Sequence, residues 1–181
     1  MKKHTIVALV QDRPGVLSRV AGLVRRRGYN IESLAVGHSE QPGISRMTIV
    51  VESDFVEQVV KQLYRLIEVI KVSDVTDDPT VEREMVVIKL HAPSSIRHEI
   101  VSMCGVFEAK IVDVGTSSMI VEMTGTPSKV ENFIEVVRGY GIKEMMRTGR
   151  IAMVRGARGH NAEQYVESAN GTNGASVPAL N

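Results

Sequence analysis

The chain has 181 residues, 43% hydrophobic and 24% charged, with 22 Lys+Arg against 21 Asp+Glu and a formal net charge of +1. That length suits one ordinary domain or two small ones, at about 100–200 residues per domain, and the composition supports a globular core rather than general disorder. The near-neutral charge gives no overall field to hold a nucleic-acid backbone, and the single cysteine, Cys104, excludes an intramolecular disulfide framework and any multi-cysteine metal cluster.

His4 to Val10 is short, rich in β-branched residues and closed by Gln11-Asp12-Arg13-Pro14-Gly15, which predicts a strand and a turn. From Val16 to Arg27 the apolar positions Val16, Leu17, Val20, Leu23 and Val24 follow helical spacing, with Arg19, Arg25 and Arg26 off the stripe, and Gly28 ends the helix. Ile31 to His38 reads as a second strand, Glu40-Gln41-Pro42-Gly43 as a turn, and Ile44 to Glu52 as a third strand with Met47, Ile49 and Val51 on one face. Ser53-Asp54 predicts an N-cap for a helix with the stripe Val56, Val59, Val60, Leu63 and Ile67. A strand from Val69 to Val75 completes the order β-α-β-β-α-β.

Asp77-Asp78-Pro79-Thr80 stops both periods and reads as a linker. The same order then repeats: a strand from Arg83 to His91, a helix capped by Pro93-Ser94 with the face Ile96, Ile100, Met103, Cys104 and Phe107, and strands at Lys110–Val114 and Ser118–Thr124. Thr126-Pro127-Ser128 opens a further helix, strand Ile142 to Arg147 follows, and Ile151 to Val154 is a candidate short strand. The expected fold is α+β, two tandem ferredoxin-like βαββαβ units. The expected domains are residues 1–78 and 81–158, with a polar tail over 159–181 that has no apolar period and is expected to be disordered. Units this small bury only about 60% of their unfolded surface, and the first strand carries apolar side chains on both faces, so association through the sheets is expected. No apolar run approaches the ~18–20 residues of a membrane span, and Met1-Lys2-Lys3-His4 runs straight into the first strand without a signal-peptide stretch. A soluble, cytoplasmic protein without a membrane partner is expected.

Catalysis finds no support in the residues. His4, His38, His91, His98 and His160 are scattered, and neither a Gly-rich phosphate loop nor a Gly-x-Ser-x-Gly elbow occurs. Cys104, on an apolar helix face, reads as a small buried hydrophobe, and Asp77 and Asp78 as solvated linker rather than a metal pair. RNA-recognition domains share the βαββαβ order but stack bases on strand aromatics; Ile6–Val10 and Arg46–Val51 contain none, so that mode is rejected. The informative feature is Asp12-Arg13-Pro14-Gly15-Val16-Leu17, which joins a strand to a helix N-terminus. Bare amides at such an end attract an anion, including the carboxylate of a free amino acid; Gly15 permits close approach, Asp12 suits an ammonium group, and Asn30 can donate and accept. Read locally, the same residues are equally an ordinary turn and helix stop.

Taken together, Asp12-Arg13-Pro14-Gly15-Val16-Leu17-Ser18-Arg19, Arg27-Gly28-Tyr29-Asn30-Ile31-Glu32-Ser33-Leu34 and Ser45-Arg46-Met47-Thr48-Ile49 resemble an ACT domain. More narrowly, with Val81-Glu82-Arg83-Glu84 opening the second unit, the chain from about residue 3 to residue 158 is similar to the small regulatory subunits of acetohydroxyacid synthase (acetolactate synthase). The resemblance implies an N-terminal ACT domain that dimerises and binds effector, followed by an ACT-like sandwich. It also implies a non-catalytic chain without a cofactor of its own. Its partner would be a catalytic large subunit carrying thiamine diphosphate, Mg²⁺ and usually FAD, which it activates and makes sensitive to valine or a related branched-chain amino acid. The effector would lie where two ACT units meet, between Asp12, Gly15, Val16 and Leu17 of one chain and Asn30 and Ile31 of the other. Position 12 is Asp where the family often has Asn; a carboxylate strengthens the contact to the ammonium and crowds the ligand carboxylate.

Two docking surfaces for the large subunit are conceivable: the basic edge of Arg147, Arg150, Arg155 and Arg158, which reads first as a solvated face, and the strand face around Glu32 and Arg46. The rival readings are a stand-alone ACT sensor for another enzyme or transcription factor, and an enzyme with a site between the units. No helix-turn-helix remains once both units are assigned, which counts against direct DNA control.

Overall fold

The computed structural model describes residues 2–156; the expected polar tail and Arg158 lie outside the described residues. The chain divides into two compact units, one comprising residues through Thr80 together with those from Met153, the other Val81–Ala152. In the first, the elements run β1 (Lys2–Gln11), α1 (Val16–Arg26), β2 (Asn30–His38), β3 (Ile44–Ser53), α2 (Val56–Leu63) and β4 (Val69–Asp74). They form a four-stranded sheet in the order β2-β3-β1-β4, with every neighbouring pair antiparallel.

The period-2 pattern of β1 places Ile6, Ala8 and Val10 in one buried cluster with Met47, Ile49 and Val51 of β3, and with Val16, Val20, Leu23 and Val24 of α1 and Val59 and Leu63 of α2. Each fully buried Val, Leu or Ile contributes about 1.5–3 kcal/mol relative to exposure, so this cluster dominates the unit's stability. The opposite face is apolar as well. Val7 and Leu9 are 2% and 1% exposed within the single chain, and Thr48 and Val50 are buried as well. The edges of this sheet are β2 and β4, and the half-exposed β2 offers main-chain groups for association.

Both helix starts expected to have side-chain caps differ. The N-cap of α2 is Phe55, without a side-chain cap; Ser53 Oγ instead accepts from the Phe55 N–H at 2.9 Å, a local turn that delays the helix. The helix stops at Leu63, so Ile67 lies beyond it, 87% exposed, and Leu66 packs on the core in its place.

The remaining elements are β5 (Thr80–His91), α3 (Arg97–Phe107), β6 (Lys110–Val114), β7 (Ser118–Gly125), α4 (Pro127–Arg138), β8 (Ile142–Arg147) and β9 (Ile151–Val154), all within the second unit but for Thr80 and the last two residues of β9. The sheet order is β6-β7-β5-β8, with β9 also pairing β5. Thr80 thus begins a strand rather than ending a linker, because β9 returns alongside and the Arg155 N–H donates to the Pro79 carbonyl at 2.8 Å. Thr126 caps α4, accepting from the Lys129 N–H, with Pro127 at the first helical position. Pro93-Ser94 does not cap α3: its N-cap is Ile96, whose N–H turns back to the Pro93 carbonyl. Cys104 is buried in the core with Ile100, Phe133 and Ile134, and that burial raises its thiol pKa. Among the described residues no helix is long and apolar enough to cross a membrane.

Two arginines of the basic C-terminal edge, Arg147 and Arg150, are paired with carboxylates of the same chain. Arg147 grips Glu84 with Nε at 2.7 Å and Nη2 at 2.9 Å, and Glu131 with Nη1 at 2.9 Å. Arg150 meets Glu82 at 3.4 Å, and Arg155 Nε donates to the Thr80 carbonyl. The bidentate bonds to Glu84 first, and the neighbouring carboxylate of Glu131, hold Arg147 protonated more firmly than an ordinary arginine against the opposing effect of its burial. Glu84 is only 7% exposed, so Arg147→Ala leaves a buried carboxylate without its partner. The expected loss is about 2 kcal/mol, discounted for the partial exposure of Arg147, read as a lower urea midpoint, with Arg138→Ala in the same unit serving as a near-neutral surface control.

Candidate functional site

The β1–α1 corner is an open helix start. Gly15 is the N-cap of α1 at φ +87, a left-handed conformation that an L side chain adopts at a cost of about 1–2 kcal/mol. No side chain caps the helix and its first turn holds no acidic residue. The Val16 N–H turns back to the Arg13 carbonyl at 3.3 Å, and the Asp12 N–H donates to the Gly43 carbonyl at 2.8 Å, which ties the corner to the β2–β3 hairpin. The following first-turn amides have no i−4 carbonyl within the helix. A Cβ built on Gly15 meets nothing within 4 Å. Asp12, Gly15 and Leu17 are exposed, while Val16 is buried beneath them. Asp12 therefore does not cap the helix: the ordinary-turn reading holds for its backbone and fails for its side chain.

Asn30 and Ile31 lie at the other end of the same sheet. Lys3 pairs with Glu52, which pairs with Asn30; Val10 pairs with Ser45, which pairs with His38. These two rows are seven residues apart along β1, about 24 Å at ~3.4 Å per residue. One chain thus brings Asp12, Gly15, Val16 and Leu17 together, and keeps Asn30 and Ile31 away from them. Asn30 is exposed on the edge strand, just before a bulge between Ile31 and Ser33.

His38, at the far end of β2, reaches the corner instead. Its Nδ1 lies 3.2 Å from Asp12 Oδ2, with the imidazole 87% exposed. Spacing along the chain gives no hint of this pair; only the register that sets His38 beside Ser45 and Val10 brings it to the loop. Of the strand-face residues, Glu32 is paired with Lys3 at 2.6 Å. Arg46 is half-buried, and desolvation lowers its pKa against the opposing charge of Glu40.

The second unit contains the same corner, closed. A shift of 80 residues relates the strand–helix part of the two, Val16 to Arg13 and Ile96 to Pro93, Tyr29 to Val24 and Ala109 to Cys104; the donors Asp12 and Ala92 keep that shift, while their hairpin acceptors Gly43 and Ser117 stand 74 residues apart. By that shift Arg97 stands where Leu17 stands. Its guanidinium donates from Nε to the Ala92 carbonyl at 3.0 Å and from Nη2 to the carbonyls of Gly115 and Thr116. The carbonyls of the second corner are thus held by the chain's own cation, at the position of Leu17. Among the described residues no group of three or more His, Cys, Asp or Glu is placed to hold a metal ion.

Two family models together match most of the chain. The family model described as "AHAS small subunit-like ACT domain" matches residues 6–71, and that described as "Small subunit of acetolactate synthase" matches residues 83–156. A probable acetolactate synthase small subunit of Archaeoglobus fulgidus is 59% identical over 156 residues, covering 85% of this chain and 98% of the relative. The acetolactate synthase small subunit of Mycolicibacterium smegmatis is 48% identical over 161 residues, covering 88% and 95%. The crystal structure of the small subunit from Thermotoga maritima superposes with a TM-score of 0.80 at 42% identity, covering 86% of this chain and 99% of that one.

Arg97→Ala removes three hydrogen bonds to main-chain carbonyls, two of them, at Gly115 and Thr116, in the β6–β7 hairpin. The expected result is faster amide exchange over residues 115–118 and a stability loss of about 1–3 kcal/mol, while exchange at residues 39–43 in the first unit stays as in the wild type.

Proposed function

The chain belongs to the acetolactate synthase small-subunit family, and on that premise we propose that it is the non-catalytic regulatory partner of a large subunit that makes acetolactate from pyruvate. In this proposal the thiamine diphosphate, Mg²⁺ and FAD reside in the large subunit, the complex is cytoplasmic, and the small subunit both raises activity and confers feedback inhibition by valine. The observation that carries the effector reading is the uncapped, open start of α1 at Gly15. The valine carboxylate docks on the bare amides there, its ammonium meets Asp12, and its isopropyl group rests on the exposed side of Leu17.

The second half of the pocket comes from another copy. Because β2 is an edge strand, a two-fold axis beside it pairs two β2 strands antiparallel. That operation sets the Asn30 end of one chain next to the His38 end of the other, and so next to its Asp12–Gly15 corner. Main-chain hydrogen bonds along the edge hold this dimer. Valine bridges the two chains and so favours the arrangement in which both halves close. It inhibits only by the difference in affinity between that arrangement and the one that best supports the large subunit. A match that spans both units favours the subunit reading over a stand-alone ACT sensor.

The test is reconstitution. The chain alone is expected to convert no pyruvate, to stimulate a large subunit on mixing, and to make the mixture valine-sensitive. Gly15→Asp strains a left-handed backbone and puts a negative charge in the anion site; Asn30→Ala alters only an exposed edge residue. Both are expected to lose valine binding by calorimetry and valine inhibition while still stimulating the large subunit. Undiminished valine sensitivity in both variants would refute the site.

A further inference from the structure

Resting on the effector reading above, we infer that His38 is a positioning residue of the effector site, which sets the affinity for an amino-acid zwitterion by holding the carboxylate of Asp12. An anion on the α1 amides lies three residues from Asp12 along a tight loop, so the ligand's carboxylate and that of Asp12 share one small region. Two like charges there oppose binding. The imidazole removes the conflict. With Nδ1 carrying its proton, His38 engages Oδ2 of Asp12, and the other oxygen, Oδ1, remains an acceptor for the ligand ammonium. The N–H draws the carboxylate's charge toward Oδ2, away from the ligand carboxylate, and leaves Oδ1 as a held acceptor for the ammonium.

Three features favour this role over an incidental surface contact. The Asp12 backbone is fixed by its bond to Gly43, so the carboxylate starts from a defined place. The hairpin that carries His38 is itself braced, by Ser39 N–H to the Ile44 carbonyl at 2.9 Å and by Ser39 Oγ to Gln41. The imidazole is 87% exposed, so core packing does not require it. His38 also occupies the end of β2 that the antiparallel pairing sets beside the other chain's Asn30, which places it among the proposed ligand contacts of both chains.

The test is a double-substitution cycle on the full chain, with valine titrated calorimetrically into wild type, His38→Ala, Asp12→Asn and the double variant, and Asn30→Ala as a reference. His38→Ala is expected to weaken valine binding about threefold to fivefold, the upper range for a solvent-exposed ion pair. Asp12→Asn, which carries its own neutral amide, is expected to make the same change at position 38 nearly silent, within about twofold. His38→Gln, whose amide can still donate to Asp12, is expected to recover part of the loss. An equal loss on removing His38 in both backgrounds, or no loss in either, overturns the role of His38 while leaving the effector reading intact, provided Asn30→Ala abolishes binding. Valine binding untouched by Asn30→Ala overturns the effector reading and this inference with it.

Discussion

The antiparallel register of the first sheet constrains everything that the molecule can do with its β1–α1 corner. Once Lys3, Glu52 and Asn30 share a row, and Val10, Ser45 and His38 share another, the chain has no freedom to bring Asn30 to Gly15. A slip of one residue sends every side chain of a strand to the opposite face. Ile6, Ala8 and Val10 on one side, and Val7 and Leu9 on the other, are all buried, so this register is held from both faces. The corner therefore has one intrachain neighbour with ionisable chemistry at the end of β2, His38, and any contact with Asn30 must come from elsewhere.

The two units show what the same backbone does with different side chains. In the first, glycine at a positive φ and an exposed leucine leave the helix start uncovered; in the second, Ser95 and Arg97 occupy the corresponding positions, and the arginine bonds to the carbonyls that line the corner. Ligand capacity is thus a property of a few loop residues placed on a common scaffold, as fold and function generally separate. The proposed regulatory role draws on the first corner only, and the second unit contributes a sandwich in which Arg147 is paired with Glu84 and Glu131.

Much of this architecture is legible in the sequence, because its strongest signals are local. The alternation in Ile6–Val10, the stripe of Val16, Val20, Leu23 and Val24, and the Thr126-Pro127 start each report a short-range physical preference that tertiary packing does not overrule. The Asp12–Gly15 corner is likewise visible as a turn between two periods. Helix boundaries are less so: Ser53 spends its hydroxyl on the Phe55 amide, and Pro93 offers its carbonyl to Ile96, so both segments carry capping residues outside the helices they precede. Strand β5 begins at Thr80 only because β9 returns to pair with it, a long-range event without a local trace. His38 and Arg97 were illegible for the same reason. Each gains its meaning from a partner that the sheet register or a hairpin brings near, and neither stands at a spacing that points to that partner.

The central claim is that one effector pocket is assembled from the β1–α1 corner of one chain and the start of β2 of another. The most direct measurement is valine binding to a purified mixed dimer in which one chain carries Gly15→Asp and the other Asn30→Ala. Each altered chain by itself forms only defective pockets. In the mixed dimer, the intact corner of the second chain faces the intact Asn30 of the first. The account predicts that this dimer binds valine at a single pocket with near wild-type affinity. A mixed dimer as silent as its two parents would show that the pocket lies within one chain, and would contradict the account.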